Sequence, residues 1–418
     1  MFQVLSRSWA LLLGMMLLMV GNGLQGTLLG VRGGIEGFST FEMSIVMSAY
    51  FAGFLGGSRV APEMIRRVGH VRVFAALASF ISAILILYPA FAHPVAWALG
   101  RVVIGFCFSG VYVTAESWLN NSADNTNRGK ALSVYMIVQM FGIVSAQVLL
   151  AMGDVSGYAL FIVSSVLVSI SFAPILLSIS PTPAFETAKP MPLKTLIKIS
   201  PLGCFGMFLL GGVFSAQFGM SAVYGVAAGL TIAQISLFVS SIYVGALLMQ
   251  YPIGWFSDRV DRRLVILIVA SLGGVMSLVA FSFDQYFSAL LVAAFIIGGT
   301  SNPLYSLLIA YTNDYLEADD MASASGGLIF INGMGAIAGP LVTGKMMDTF
   351  GTQAFFMVIA TLMLTLTGYA GYRMTQRSRD GVEDGLYAPV MPSSSPVAVE
   401  VASEYYIEIA MDEEENET

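Results

Sequence analysis

Twelve long apolar stretches separated by short polar loops constrain this sequence more than anything else in it. They cover residues 9–30, 40–60, 72–91, 95–118, 131–152, 158–179, 201–224, 232–256, 264–283, 286–312, 322–345 and 352–374. Each is close to, or above, the about 20 residues with which an α-helix crosses a bilayer. Spanning β-strands are disfavoured, because the runs are too long and do not alternate. With 56% hydrophobic and only 11% charged residues in 418, a soluble fold has no interior large enough to hide this much apolar surface. The first run follows Arg7 and superficially looks like a secretory leader. It is too long, lacks a convincing cleavage site and is followed by eleven equals, so it reads as an uncleaved first helix. The expected fold is an all-α membrane protein with twelve transmembrane helices.

Loop charge gives an orientation. With the N-terminus inside, sixteen of the 19 basic residues fall in cytoplasmic segments, two (Arg32 and Lys345) fall outside, and Arg101 lies within a span. This asymmetry predicts a multi-pass protein of the plasma (inner) membrane with both termini cytoplasmic. The net charge of −7 is a local matter: eleven acids against Arg377 and Arg379 lie after Gln376. The body is slightly basic, and no nucleic-acid surface is implied. Residues 376–418, with Pro389, Pro392, Pro396 and the run Ser393-Ser394-Ser395, read as a disordered acidic cytoplasmic tail.

The chain also repeats itself. At an offset of 192, Gly14-Met15 falls on Gly206-Met207 and Gln25 on Gln217; at 193, Tyr50 meets Tyr243, Arg66 meets Arg259, Gly105 meets Gly298, Tyr112 meets Tyr305 and Gly142 meets Gly335. A nearly constant offset across so many helices indicates duplicated halves. The expected domains are a six-helix half over 1–180, a cytoplasmic linker over 181–200, a second six-helix half over 201–375, and the tail.

The loop Gly254-Trp-Phe-Ser-Asp258-Arg259-Val-Asp261-Arg262-Arg263 is unusually polar for this chain and must lie at a water interface. A glycine, an Asp-Arg pair and a terminal basic pair together resemble the loop signature of the major facilitator superfamily. Arg101 with Gly105 is similar to that family's Arg-x-x-x-Gly pattern on the fourth helix. Glu116-Ser-Trp-Leu-Asn followed by Arg128-Gly further resembles its YcaD-like branch. The resemblance implies two pseudo-symmetric bundles around a shared site, and secondary transport by alternating access. It departs from the pattern in two places. Ile65 stands where the first-half loop would carry aspartate, with Glu63 nearby, and no acid sits in the middle of the first helix.

Several residues are candidates for a site. Arg101 lies inside a span, where an ionised group costs at least about 2.5 kcal/mol unless it faces partners or water. It would meet an anionic substrate, serve proton coupling, or snorkel to the outer interface. Asn22, Gln25, Gln139, Gln217 and Asn332 are amides in apolar runs, which should face the bundle interior, lining a cavity or bonding helices together. Tyr112, Tyr243 and Tyr305 would add hydroxyls. Arg66, Glu116, Asp258, Arg259 and Arg262 form the expected gate, with Glu116 meeting loop arginines and Asp258 accepting from a helix N-terminus or an arginine across the gate. Ser39 and Glu42 read as a capping box opening the second helix. No catalytic, nucleotide-binding or metal pattern appears, so neither an enzyme nor a cofactor is expected. The expected function is a carrier, acting as a monomer, of a small polar or anionic solute, with protons as one candidate drive. Efflux of amphipathic compounds and a transporter-like sensor or scaffold are the alternatives.

Overall fold

The computed structural model describes residues 2–122, 128–177, 191–376, 387, 389–395 and 397–399. Its long rods are α1 (Phe2–Ile35), α2 (Thr40–Val68), α3 (His70–Ala90), α4 (Pro94–Ser122), α5 (Arg128–Met152) and α6 (Ala159–Leu177). They continue as α7 (Pro201–Ala227), α8 (Ile232–Ser257), α9 (Arg262–Ser282), α10 (Phe287–Asn313), α11 (Ala318–Phe350) and α12 (Ala354–Gln376). Every expected span falls on one of them, and among the described residues eleven are long and apolar enough to cross a membrane. The remaining rod, α2, is 29 residues long but diluted by the small and polar residues with which it packs and by Arg59, Glu63, Arg66 and Arg67 in its last third. Phe80, Leu99, Phe141 and Leu248 point outward, as expected where lipid is the solvent.

Close backbone approach organises the bundle. α2 lies along α4, and α8 lies along α10. A side chain at Gly53 would run into the Val102 carbonyl, and one at Gly105 into that of Tyr50. The arrangement recurs between Gly245 and Phe295 and between Gly298 and Ile242. Likewise α1 packs on α5, and α7 on α11. The two sets meet through α2 with α11, α5 with α8, and α1 with the last part of α7. These repeated pairings make the bundles pseudo-symmetric, and their shared seam is where a central site must lie.

Three features were not expected. α7 carries a π-helical turn at Ala216–Met220, a local widening of the helix common near functional positions. In the linker, a short helix, Leu193–Ile199, buries Leu196 against α11 near Gly327. The third concerns the tail. Its described part is not a solvated strand: Tyr387, Val390, Met391, Ala398 and Val399 are buried. Apolar side chains interleaved with the prolines and serines give this part something to pack. Residues 178–180 at the end of the first half, 181–190 of the linker and 377–386, 388, 396 and 400–418 of the tail lie outside the described residues.

Candidate functional site

A cavity occupies the seam. One wall is aromatic. Phe214 stacks on Phe218 with ring centroids 5.8 Å apart, Phe218 lies 5.8 Å from Tyr50, and Phe54 lies 6.0 Å from both Tyr50 and Tyr112. The helical spacing of Phe214 and Phe218 puts both rings on one face of α7. Polar residues interrupt this lining at Asn22, Asn302 and Asn332, and Tyr50, Tyr112 and Tyr243 also border it. Asn22 Oδ1 accepts from Gln25 Nε2 at 3.2 Å, and Asn332 Nδ2 donates to the Met207 carbonyl at 2.9 Å. Both amides are thereby oriented by the bundle. Among the described residues, no aspartate, glutamate, lysine, arginine or histidine lines the cavity.

Among the described residues, a buried cation, Arg101, stands a layer behind the cavity. Arg101 is fully enclosed. Its Nη1 donates to Gln25 Oε1 at 3.0 Å, Nη2 reaches Met47 Sδ at 3.7 Å, and its guanidinium lies 4.5 Å from the centre of the Tyr50 ring. Nε has no partner among the described residues. A chain of contacts thus runs from Arg101 through Gln25 to Asn22, and through Tyr50, to the cavity wall. The positive charge is held by a neutral amide and an aromatic face, so its field is not cancelled by a contacting carboxylate.

Among the other candidates, Tyr112 donates to Met19 Sδ at 3.3 Å. Gln217 sits on the π-helical turn and accepts from Ser301 Oγ at 3.1 Å. Gln139 borders a smaller pocket beside Met391 and Ser394. Tyr305 is buried, with its hydroxyl unpartnered among the described residues. Sequence reasoning passed over Tyr50 as a site residue and did not single out Phe51, Phe54, Phe214 and Phe218. An aromatic ring suits lipid as well as a cavity, and only the helix packing tells which it faces.

At the end of the bundle that carries the basic loops, the gate candidates are arranged differently from expectation. Arg66 pairs with Glu63 at 2.8 Å on the surface of α2. Arg259 lies 4.1 Å from the Trp255 ring and donates to the Trp255 carbonyl at 2.9 Å. Arg262 is buried and pairs with Asp314, tying the start of α9 to the end of α10. Glu116 is buried and accepts from the Ser395 backbone N–H at 2.8 Å, not from an arginine. Asp258 accepts from the Tyr387 N–H at 2.7 Å, with Arg262 Nη2 4.0 Å away. Burial pushes the Asp258 carboxyl above the usual range, opposed by the Tyr387 N–H and the neighbouring Arg262 and Arg259. Both acids therefore face the tail in this state.

The fold, the central cavity and the loop at 254–263 define a secondary-transporter architecture. The sequence model of the Major Facilitator Superfamily matches residues 11–231 and 203–382, and the chain belongs to that family. It is 27% identical over 375 residues to the Uncharacterized MFS-type transporter YcaD of Escherichia coli O45:K1 (strain S88 / ExPEC), covering 87% of this chain and 95% of that protein. Among solved structures, the nucleoside transporter NupG superposes with a TM-score of 0.72 at 14% identity, over 89% of this chain and all of that one. A bacterial homolog of the human lysosomal transporter Spinster, inward-facing and unoccupied, gives 0.68 at 13% identity, over 97% and 98% of the two chains. The E. coli fucose:proton symporter FucP gives 0.57 at 16%, over 87% and 98%.

Proposed function

We propose that this chain is a carrier of a small polar solute with a flat face, neutral or bearing one negative group, moved by alternating access of two six-helix halves, 1–180 and 201–375. The observation that carries this reading is the lining itself. Amides and phenolic hydroxyls set into an aromatic wall suit a solute that stacks and hydrogen-bonds at once, while the absence of ionised groups from the wall makes a strongly charged solute costly to dehydrate. The uncompensated Arg101 behind Gln25 and Tyr50 supports a preference for negative over positive solutes. A nucleoside and a fucose with a proton, for which two of the structural neighbours are named, fall in the same size and polarity class. Protons remain the candidate drive. The basic end is proposed to face the cytoplasm, across the plasma membrane.

A ligand-induced thermal-shift screen of purified protein tests the substrate class, followed by counterflow in proteoliposomes with an imposed pH gradient. Nucleosides, sugars and aromatic carboxylates should stabilise the protein, and Asn332→Ala should weaken the effective ligand by roughly tenfold, the weight of one lost hydrogen bond in a dry site. Arg101→Ala should weaken anionic ligands more than neutral ones. Stabilisation by lipophilic cations alone would instead favour efflux of amphipathic compounds, the reading that Phe51, Phe54, Phe214, Phe218 and Met140 support. Binding with no flux of any solute would favour a sensor.

A further inference from the structure

The mouth of the cavity at the basic end is filled by the chain's own C-terminal segment. Residues 387, 389–395 and 397–399 enter between helices of both sets. Tyr387 lies where a side chain on Gly254 of α8 would collide with its ring, and its N–H donates to Asp258. Val390 makes a two-way bond with Ser306 of α10: its N–H donates to Ser306 Oγ at 2.9 Å, and its carbonyl accepts from the same hydroxyl at 3.0 Å. Ser395 donates its N–H to Glu116 of α4. Met391 packs with Met140 of α5 and Ala246 of α8, and Met391, Pro392 and Ser393 form part of the cavity wall.

We propose that this segment is an intramolecular plug. It occupies a built binding site in the mouth, closes the cavity to solute at the basic end, and must withdraw before solute can pass. Three features make it a ligand and not a loosely laid tail. Tyr387, Val390, Met391, Ala398 and Val399 are buried as deeply as many residues of the helix core. Its backbone is read at three points by side chains that are themselves buried or partly buried, Asp258, Ser306 and Glu116. Those side chains come from α4 on one side of the seam and from α10 and the end of α8 on the other. A segment held by both sides also acts as a wedge. While it is seated, α4 cannot close on α10, so the bundle is kept from the state in which this end is sealed by contact between those two helices. Withdrawal would leave Asp258 and Glu116 free to take partners across the gate. Their hydrogen bonds to the tail thus compete with gate closure.

Occlusion is independent of which solute is carried; inhibition of flux rests on the carrier reading. Accessibility therefore tests the plug directly. In the full chain, Met140→Cys should react slowly with N-ethylmaleimide, because Met391 covers it; Cys107 and Cys204 are buried and supply the background. Adding Met391→Asp and Val399→Asp, which place charges on buried positions of the segment, should raise the labelling rate by roughly tenfold or more, since the docked population falls by at least that factor when buried contacts are lost. Equal rates with and without the tail substitutions would overturn the proposal. As a second measurement, Met140→Cys with Met391→Cys should form an intramolecular disulfide under mild oxidation in membranes, and failure to form it would also overturn the plug. Failure of every solute in the thermal-shift and counterflow panel would count against the carrier reading while leaving the labelling result intact.

Discussion

At Gly53, a hydrogen in place of a methyl group decides how near α2 can lie to α4. The Val102 carbonyl occupies the space a Cβ would need, and it is backbone, so it cannot rotate away. Gly56, one turn on, has its nearest neighbour, the Phe106 ring, at 3.9 Å. Gly53→Ala should therefore destabilise the protein by about 1–3 kcal/mol, the usual cost of overpacking a tight contact. Gly56→Ala should be neutral or slightly stabilising, because alanine favours the helix. Thermal unfolding in detergent separates the two, and equal midpoints would refute the close-packing account. Polar residues were easier to read than these glycines. Arg101, Asn22, Gln25 and Asn332 stand out because a polar atom inside an apolar run must find a partner, and the structure does hold them inside. The rings of Tyr50, Phe214 and Phe218 carry no such signal. Nothing in their chemistry distinguishes a face toward solute from a face toward lipid.

The start of α2 was legible from its cap. Ser39 Oγ accepts from the Glu42 N–H at 3.2 Å, and Glu42 Oε2 accepts from the Ser39 N–H at 2.8 Å, as the capping-box pattern predicts. The same box opens α8: Thr231 Oγ1 accepts from the Gln234 N–H at 3.3 Å, and Gln234 Oε1 from the Thr231 N–H at 2.9 Å. Thr231 follows Ser39 by 192 residues, the spacing at which Gln217 follows Gln25. The cap therefore belongs to the repeat and sets where α2 and α8 begin relative to their partners α4 and α10. Ser39→Ala and Thr231→Ala should each cost about 0.5–2 kcal/mol, measurable as parallel falls in the thermal midpoint. A loss at one site alone would argue against equivalent roles. The π-helical turn in α7 was not legible, because one shifted hydrogen-bond register leaves the apolar pattern almost unchanged. Nor was the docking of residues 387, 389–395 and 397–399, because a short apolar segment among serines and prolines looks the same whether it meets a groove or water.

For the whole molecule the two ends are not equivalent. Away from the basic loops, α1 meets α7 where side chains on Gly30 and Gly34 would strike Ala222 and Val226, and α2 meets α11 where one on Gly344 would strike Ser44. That end is shut by direct contact between helices. At the basic end, described residues of the tail bridge α4 on one side and α10 and the end of α8 on the other. Positively charged loops resist translocation and stay on the cytoplasmic side, so the state seen would be sealed from outside and plugged from within. Gln285, exposed in the turn between α9 and α10, and Gln376, exposed at the end of α12, lie at opposite ends of the bundle. In intact cells, Gln285→Cys should react with a membrane-impermeant maleimide, whereas Gln376→Cys should react only after permeabilisation. The buried Cys107 and Cys204 keep the background low. The reverse pattern would put the basic loops outside and would leave the plug facing the exterior. Labelling of both sites in intact cells would mean mixed insertion, and the charge asymmetry would then have failed to set topology.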